Sequence, residues 1–276
     1  MKKSSIMDKL KALKSVFVGA VAALTVSCND IAEGDRLVYV PPAEVNRAVL
    51  VEDFTGQRCP NCPNASVAIE ELQKQYGADT IIAVGIYSGT FGHKPNGDPL
   101  PLTTTTGDEY YSKWPIECQP AVVFNRKSGV VYDYNGGYSP VVNAMLKEPT
   151  PVNLDMTVGF NADSTEMSVD VTALSAETVN CKLQVWVLED GVIGPQIMPT
   201  TGETNMKYVH NHVFRTSVTK ETWGDAFNIT SGETAKATYK FTPDASWVKK
   251  NLSVVAFVYN DNDGVLQAVR RTVTTE

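Results

Sequence analysis

Histidine and cysteine are scarce in this sequence, with three His and five Cys in 276 residues. That excludes a disulfide-stapled scaffold, which needs a far denser cysteine count, and leaves little from which to build a metal centre. Cations are also short: 24 Lys plus Arg face 31 Asp plus Glu, a net charge of −7. A phosphate backbone is bound by clustered cations, so nucleic acid is not an expected partner. No apolar stretch approaches the roughly 20 residues that a bilayer-spanning helix requires. With 43% apolar and 20% charged residues, the composition is that of a folded protein, and the length suits two units.

The run Ser15 to Val26 is apolar, follows Lys2, Lys3, Lys9, Lys11 and Lys14, and ends at Ser27-Cys28. This is the layout of a signal peptide. The residues Leu24-Thr25-Val26-Ser27-Cys28 resemble a bacterial lipobox, with Leu one position further from the cysteine than usual. That resemblance implies cleavage before Cys28 and its lipidation, so the expected membrane contact is a lipid anchor, not a span. Removing residues 1–27 takes away five lysines and one aspartate and leaves −11. Residues 28–46 read as a tether. Its acidic start (Asp30, Glu33, Asp35) resembles surface-export signals of Bacteroidetes lipoproteins and equally suits a solvated linker.

Ala48 to Phe54 is β-branched and apolar enough for a buried strand, and Thr55-Gly56 breaks it. Then comes Cys59-Pro60-Asn61-Cys62. Pro60 and Pro63 suit a helix's first turn, and Ala65, Ala68, Ile69, Leu72 and Tyr76 recur at helical spacing up to Gly77. A strand, a tight turn, a CxxC pair and a helix thus follow in order. Free amides and the dipole at a helix N-terminus stabilise a thiolate, which makes Cys59 the expected nucleophile. Cys62, expected to be more buried, would resolve the mixed disulfide. The alternatives are an inert disulfide, or half a zinc site that has no second CxxC to complete it.

This frame resembles the thioredoxin superfamily. The resemblance implies a proton-transfer role for Asp53, six residues before Cys59, and a cis-proline at Pro120 that shapes a peptide-binding surface. Strand 81–86, strand 121–124 and a closing helix from Tyr138 to Lys147 complete it. Arg58 stands where the family keeps an aromatic residue and adds charge beside Cys59. With Gln119, Pro60 and Asn61 it makes the expected substrate-binding set. The chemistry needs thiols alone, so no cofactor and no metal are expected. The partners implied are thiols or disulfides of exported proteins and an unidentified redox partner. Residues 87–117 are an insertion rich in Gly, Pro and Thr, long enough to cover the site. Just after it, two residues before Pro120, Cys118 reads first as a small buried residue, second as a thiol able to exchange with the CxxC.

After Pro149 the pattern changes to period two: Leu154, Met156 and Val158, then Met167, Val169 and Val171. Further strands are expected near 179–189, 208–219, 234–242, 252–260 and 264–273, with a Gly/Pro-rich loop over 190–207 and a turn at Asp261-Asn262-Asp263-Gly264. The expected fold is an α/β thioredoxin-like domain (47–149) followed by an all-β immunoglobulin-like sandwich (150–276). Cys181 falls on a core face. His210 and His212 share a strand and read as an ordinary polar face in preference to a metal site. The lipobox, the CxxC and Tyr208-Val209-His210-Asn211-His212-Val213-Phe214-Arg215 together resemble the 28-kDa outer-membrane lipoprotein family of Bacteroidetes. Two functions follow from that likeness: a lipid-anchored thiol-disulfide oxidoreductase of the cell envelope, or a surface adhesin or receptor that uses the fold as a scaffold.

Overall fold

Strand β1 (Val49–Thr55) is buried at every position because both of its faces are covered. Val49 and Val51 pack toward two helices, whereas Leu50 and Phe54 face a second core on the other side of the sheet. The computed structural model describes residues 47–93 and 101–273; the signal peptide, Cys28, the tether and the middle of the 87–117 insertion lie outside them. Helix α1 (Cys62–Tyr76) carries the chain from β1 to β2 (Ile81–Tyr87), which pairs parallel to it from Val49↔Ile81 to Thr55↔Tyr87. Parallel strands need such a crossover.

The insertion is not a loop in its described parts. It holds a short helix α2 (Gly89–Gly92) and helix α3 (Thr105–Ser112), whose first turn is closed by the Thr104 hydroxyl accepting from the Gly107 amide at 2.9 Å. Tyr110 of α3 is fully buried. Strand β3 (Ala121–Phe124) then pairs antiparallel with β1, and β4 (Val130–Val131) with β3. Helix α4 (Tyr138–Met145) packs with α1 over Val49, Val51 and Phe124.

The period-two half forms an all-β sandwich. Strands β5 (Val152–Phe160), β6 (Met167–Ser175) and β12 (Thr234–Phe241) make a three-stranded sheet. It covers β7 (Val179–Glu189), β11 (Asp225–Ile229), β13 (Leu252–Asn260) and β14 (Gly264–Thr272) through a core that includes Met156, Val171, Val185 and Ala256. Strand β7 shows why its sequence is apolar almost throughout. Leu183, Val185 and Val187 point into the sandwich, while Trp186 and Leu188 point to the opposite face and pack with Leu50, Phe54 and Ile86.

The halves on either side of Pro149 therefore share a core, and they share a sheet of nine strands. Strand β10 (Val213–Ser217) pairs with β7 on one side and, parallel, with β2 at Val213↔Gly85 on the other. The Gly85 amide donates to the His212 carbonyl at 2.8 Å. Two expectations need correcting here. The stretch 190–207 is not a loop: β8 (Val192–Ile197) and β9 (Thr204–His210) form a separate two-stranded hairpin. Nor is 208–219 one strand, because Asn211 and His212, the latter at φ 55°, separate β9 from β10. The Asp261–Gly264 turn joins β13 to β14 as expected, with Gly264 at φ 68°. Among the described residues no helix is long and apolar enough to cross a membrane.

Candidate functional site

The site lies where β1 ends. Cys59 and Cys62 are joined as a disulfide with a Cα–Cα distance of 5.4 Å. Gly56 makes the turn possible. A β-carbon there would collide with the Phe91 backbone, which also accepts from the Arg58 amide at 3.1 Å. Helix α1 begins at Cys62 with Pro63 in its first turn, so Pro60 precedes the helix and Cys59 lies three residues before it. The expected difference in burial between the two cysteines is absent: each is 1% exposed.

The other expected site residues gather around this turn. Pro120 is buried next to β3, and the Gln119–Pro120 bond is cis. Gln119 is itself buried. Its amide donates to the carbonyls of Thr55 and Ser88, 3.0 Å each, and its oxygen accepts from the Phe91 amide, so the side chain ties the end of β1 to the end of β2. Arg58 is half-buried and donates to the His93 carbonyl at 2.9 Å. Asn61 is exposed and Pro60 half-buried. Cys118 is exposed, which corrects the expectation of a buried side chain, and it carries no disulfide. Cys181 is buried as expected, its thiol donating to the Phe227 carbonyl at 2.8 Å.

Near the end of β1, Asp53 lines a cavity shared with Ser66, Glu70, Tyr87, Tyr208 and His210. Burial without a compensating charge pushes the Asp53 carboxyl up to about 7, and its Oδ1 has no hydrogen-bond partner. A carboxyl that titrates near neutrality can both take and return a proton. His210 does not lie on a polar face. It is 1% exposed, its Nδ1 lies 2.7 Å from the Tyr87 hydroxyl, and its Nε2 has no partner. Burial pushes the imidazole down to about 4, with the backbone of Pro195 and Gly194 acting in the opposite sense. His212 instead sits in the turn after β9, its Nε2 3.3 Å from Gln73 Oε1 and its Nδ1 3.0 Å from Asp190. Among the described residues no group of three or more His, Cys, Asp or Glu could hold a metal ion.

The β8–β9 hairpin closes the site from the second half of the chain. The buried Gln196 amide donates to the Cys59 carbonyl at 2.9 Å and to the Gly56 carbonyl at 3.4 Å. The Ile197 amide donates to the Gln57 carbonyl at 2.9 Å, and the Gln57 amide to the Pro195 carbonyl at 3.2 Å. Neither the Gln196–Cys59 contact nor the Tyr87–His210 pair is legible in the sequence, because partners separated by 137 and 123 residues leave no local pattern.

Residues 107–276, more than half of the chain, match the family of the outer membrane protein Omp28. The chain belongs to that family. The match begins beyond the CPNC turn and takes in the whole sandwich, so membership places this Omp28-family chain at the outer membrane of the cell envelope. Among solved structures, HBP35 of Porphyromonas gingivalis superposes with a TM-score of 0.63 at 18% identity, over 83% of this chain and 76% of that one. A protein of Agrobacterium tumefaciens does so with a TM-score of 0.53 at 18% identity, over 85% and 97%. Both therefore share its fold. A domain of the outer membrane lipoprotein Omp28 from Porphyromonas gingivalis is 21% identical over 46% of this chain and 91% of its own, with a TM-score of 0.33. No curated protein matches the chain.

Proposed function

We propose that this Omp28-family protein is a lipid-anchored thiol-disulfide oxidoreductase acting on exported proteins, with residues 47–149 as a thioredoxin-like unit. One observation carries the reading: a Cys59–Cys62 disulfide formed at a strand-to-helix turn, just past the strand whose buried Asp53 is pushed up to about 7. The parallel β1–α1–β2 frame supports it. So does the signal layout ending at Cys28, which would put the chain where disulfides persist.

The exchange balances in thiols. A client thiolate attacks Cys59 Sγ, forming a mixed disulfide and breaking the Cys59–Cys62 bond. Cys62 leaves as a thiolate and takes the Asp53 proton. A second client thiolate attacks the client sulfur of the mixed disulfide and releases Cys59. The client has gained a disulfide, and two electrons have passed to the Cys59–Cys62 pair. Run in reverse, with Cys62 resolving, the same steps reduce a client. The deciding experiment is an equilibrium titration of the pair against glutathione, joined to capture of mixed disulfides by Cys62→Ser. A pair that never opens under native conditions, with a variant that captures nothing, would sink the reading.

The burial of both sulfurs favours a second reading, in which the disulfide is a staple and the protein is a surface-binding lipoprotein. On that reading, Cys59→Ser with Cys62→Ser leaves binding to its partner intact.

A further inference from the structure

Cys59 and Cys62 are each 1% exposed, yet a thiolate has to approach Cys59 Sγ along the disulfide axis for exchange to occur. Something must therefore move, and one element stands apart from the main sheets, held at its base by Val192 in a small core with Tyr87 and by the 2.7 Å contact of His210 with the Tyr87 hydroxyl. The β8–β9 hairpin has no backbone strand pairing with the nine-stranded sheet. Its outer surface carries Ile193 at 63%, Met206 at 63% and Val209 at 49% exposure, so much of its apolar material is not committed to any core. Over the CPNC turn its attachment is polar: Gln196 to the Cys59 and Gly56 carbonyls, Ile197 to Gln57, and Gln57 to Pro195. Its two ends meet at one place. Gly191, at φ 70°, donates through its amide to Asn211 Oδ1 at 3.0 Å, and His212, at φ 55°, follows. Two left-handed residues flanking the hairpin are positions that can absorb a backbone rotation.

We infer that the β8–β9 hairpin is a gate over the Cys59–Cys62 disulfide, and that Gln196 is its latch and a positioning residue for exchange. When closed, the Gln196 amide fixes the Cys59 carbonyl and hence the turn that hides the sulfurs. When open, it frees that carbonyl and uncovers Cys59 Sγ. The second half of the chain thereby controls chemistry whose cysteines belong to the first. This inference rests on the oxidoreductase reading for its purpose, but access to the disulfide can be measured without it.

The test is the rate at which dithiothreitol reduces Cys59–Cys62 in the full chain under native conditions, compared between wild type and Gln196→Ala. Dithiothreitol supplies both electrons and leaves as its own cyclic disulfide, so no client is needed. The expected result is slow reduction in the wild type and an increase of at least tenfold in Gln196→Ala, whether read as the second-order rate or as the plateau at high dithiothreitol. Gln57→Ala loosens the same latch from the opposite side and should act in the same direction, which covers the case in which Gln196→Ala does not fold. Gln196→Glu keeps the shape but loses the donor, so it should resemble the alanine variant; a carboxylate that restored wild-type rates would overturn the latch. Alkylation of Cys181, buried in the sandwich core, separates gate opening from general unfolding: it stays protected if only the hairpin moves. Equal reduction rates in wild type, Gln196→Ala and Gln57→Ala overturn the gate even if Cys62→Ser captures clients. A tenfold rise with no client ever captured leaves the gate standing and removes the oxidoreductase reading.

Discussion

Glu52 and Asp53 are consecutive on β1, and the alternation of the strand sends their carboxyl groups to opposite faces of the sheet. Glu52 meets Arg126, whose Nη2 is 3.2 Å from its Oε1, inside rings from Tyr110, Trp186, Phe257 and Tyr259. Asp53 faces the cavity it shares with Tyr87, Tyr208 and His210, with Oδ1 unpartnered. One carboxyl is held for structure and the other is left able to exchange a proton.

For Asp53 the pH dependence has a definite sign. An unfolded aspartate ionises near 3.8 and the folded one near 7, so between those values the folded state keeps a proton that the unfolded state releases. Stability therefore falls as pH rises through that window, and the full cost, up to about 4 kcal/mol, is present above 7. Asp53→Asn should match the wild type near pH 4 and exceed it at pH 8 in denaturant unfolding, while slowing disulfide exchange. An asparagine variant no more stable at pH 8 would refute the assignment.

His210 acts in the opposite direction. Its folded value near 4 lies below the ordinary 6.5, so the stability it contributes is complete above 6.5 and is lost as pH falls toward 4, about 3 kcal/mol in all. Over that shared interval the slopes of Asp53 and His210 oppose each other, and wild-type stability should be nearly flat. Replacing His210 by Gln should unmask the Asp53 slope, with stability rising steadily as pH drops from 6.5 to 4. Hydrogen exchange of the β9 amides over the same range reports whether the loss is local to the hairpin.

The Glu52–Arg126 pair should behave as a unit. Arg126→Met leaves a buried carboxyl without its partner and should cost about 3–5 kcal/mol. Adding Glu52→Gln should recover a large part of that loss, so the double-mutant cycle gives a coupling of at least 1 kcal/mol. Additive losses would mean that the pair does not interact.

Cysteine reactivity separates the two free thiols of the described residues. In the native full chain a maleimide should modify Cys118 and spare Cys181, because Cys118 is exposed whereas burial pushes the Cys181 thiol up to about 11. Peptide mass mapping reads both positions in one experiment. Modification of Cys181 at the rate of Cys118 would contradict the sandwich core.

Sequence reading recovered what local patterns encode. The apolar run into Gly56, the CPNC turn and the 3.6-residue spacing of α1 are contiguous signals, and strands of the sandwich announce themselves by alternation, most clearly in β5 and β6. Other elements were hidden for physical reasons. Gly194 and Pro195 interrupt β8, and β9 exposes most of its residues, so the hairpin has no apolar face to detect. Helix α3 is masked by a run of threonines, although Thr104 as a cap and Asp108 in the first turn are signals of its start. The contacts that complete the site, Gln196 to Cys59 and Tyr87 to His210, join distant parts of the chain and leave no trace in any short window.

The parallel pairing of β2 with β10 bears on how the protein is made. Strand β2 is apolar throughout, and one of its edges is satisfied by β1 soon after residue 87 has emerged. Its other edge must wait for His212 and Val213, more than a hundred residues later in the chain. A chain exported from its N-terminus thus carries an open, apolar strand edge through most of its passage across the membrane, which is the kind of surface that pairs with the wrong neighbour. Translocation of the last third is then also the event that seals the first.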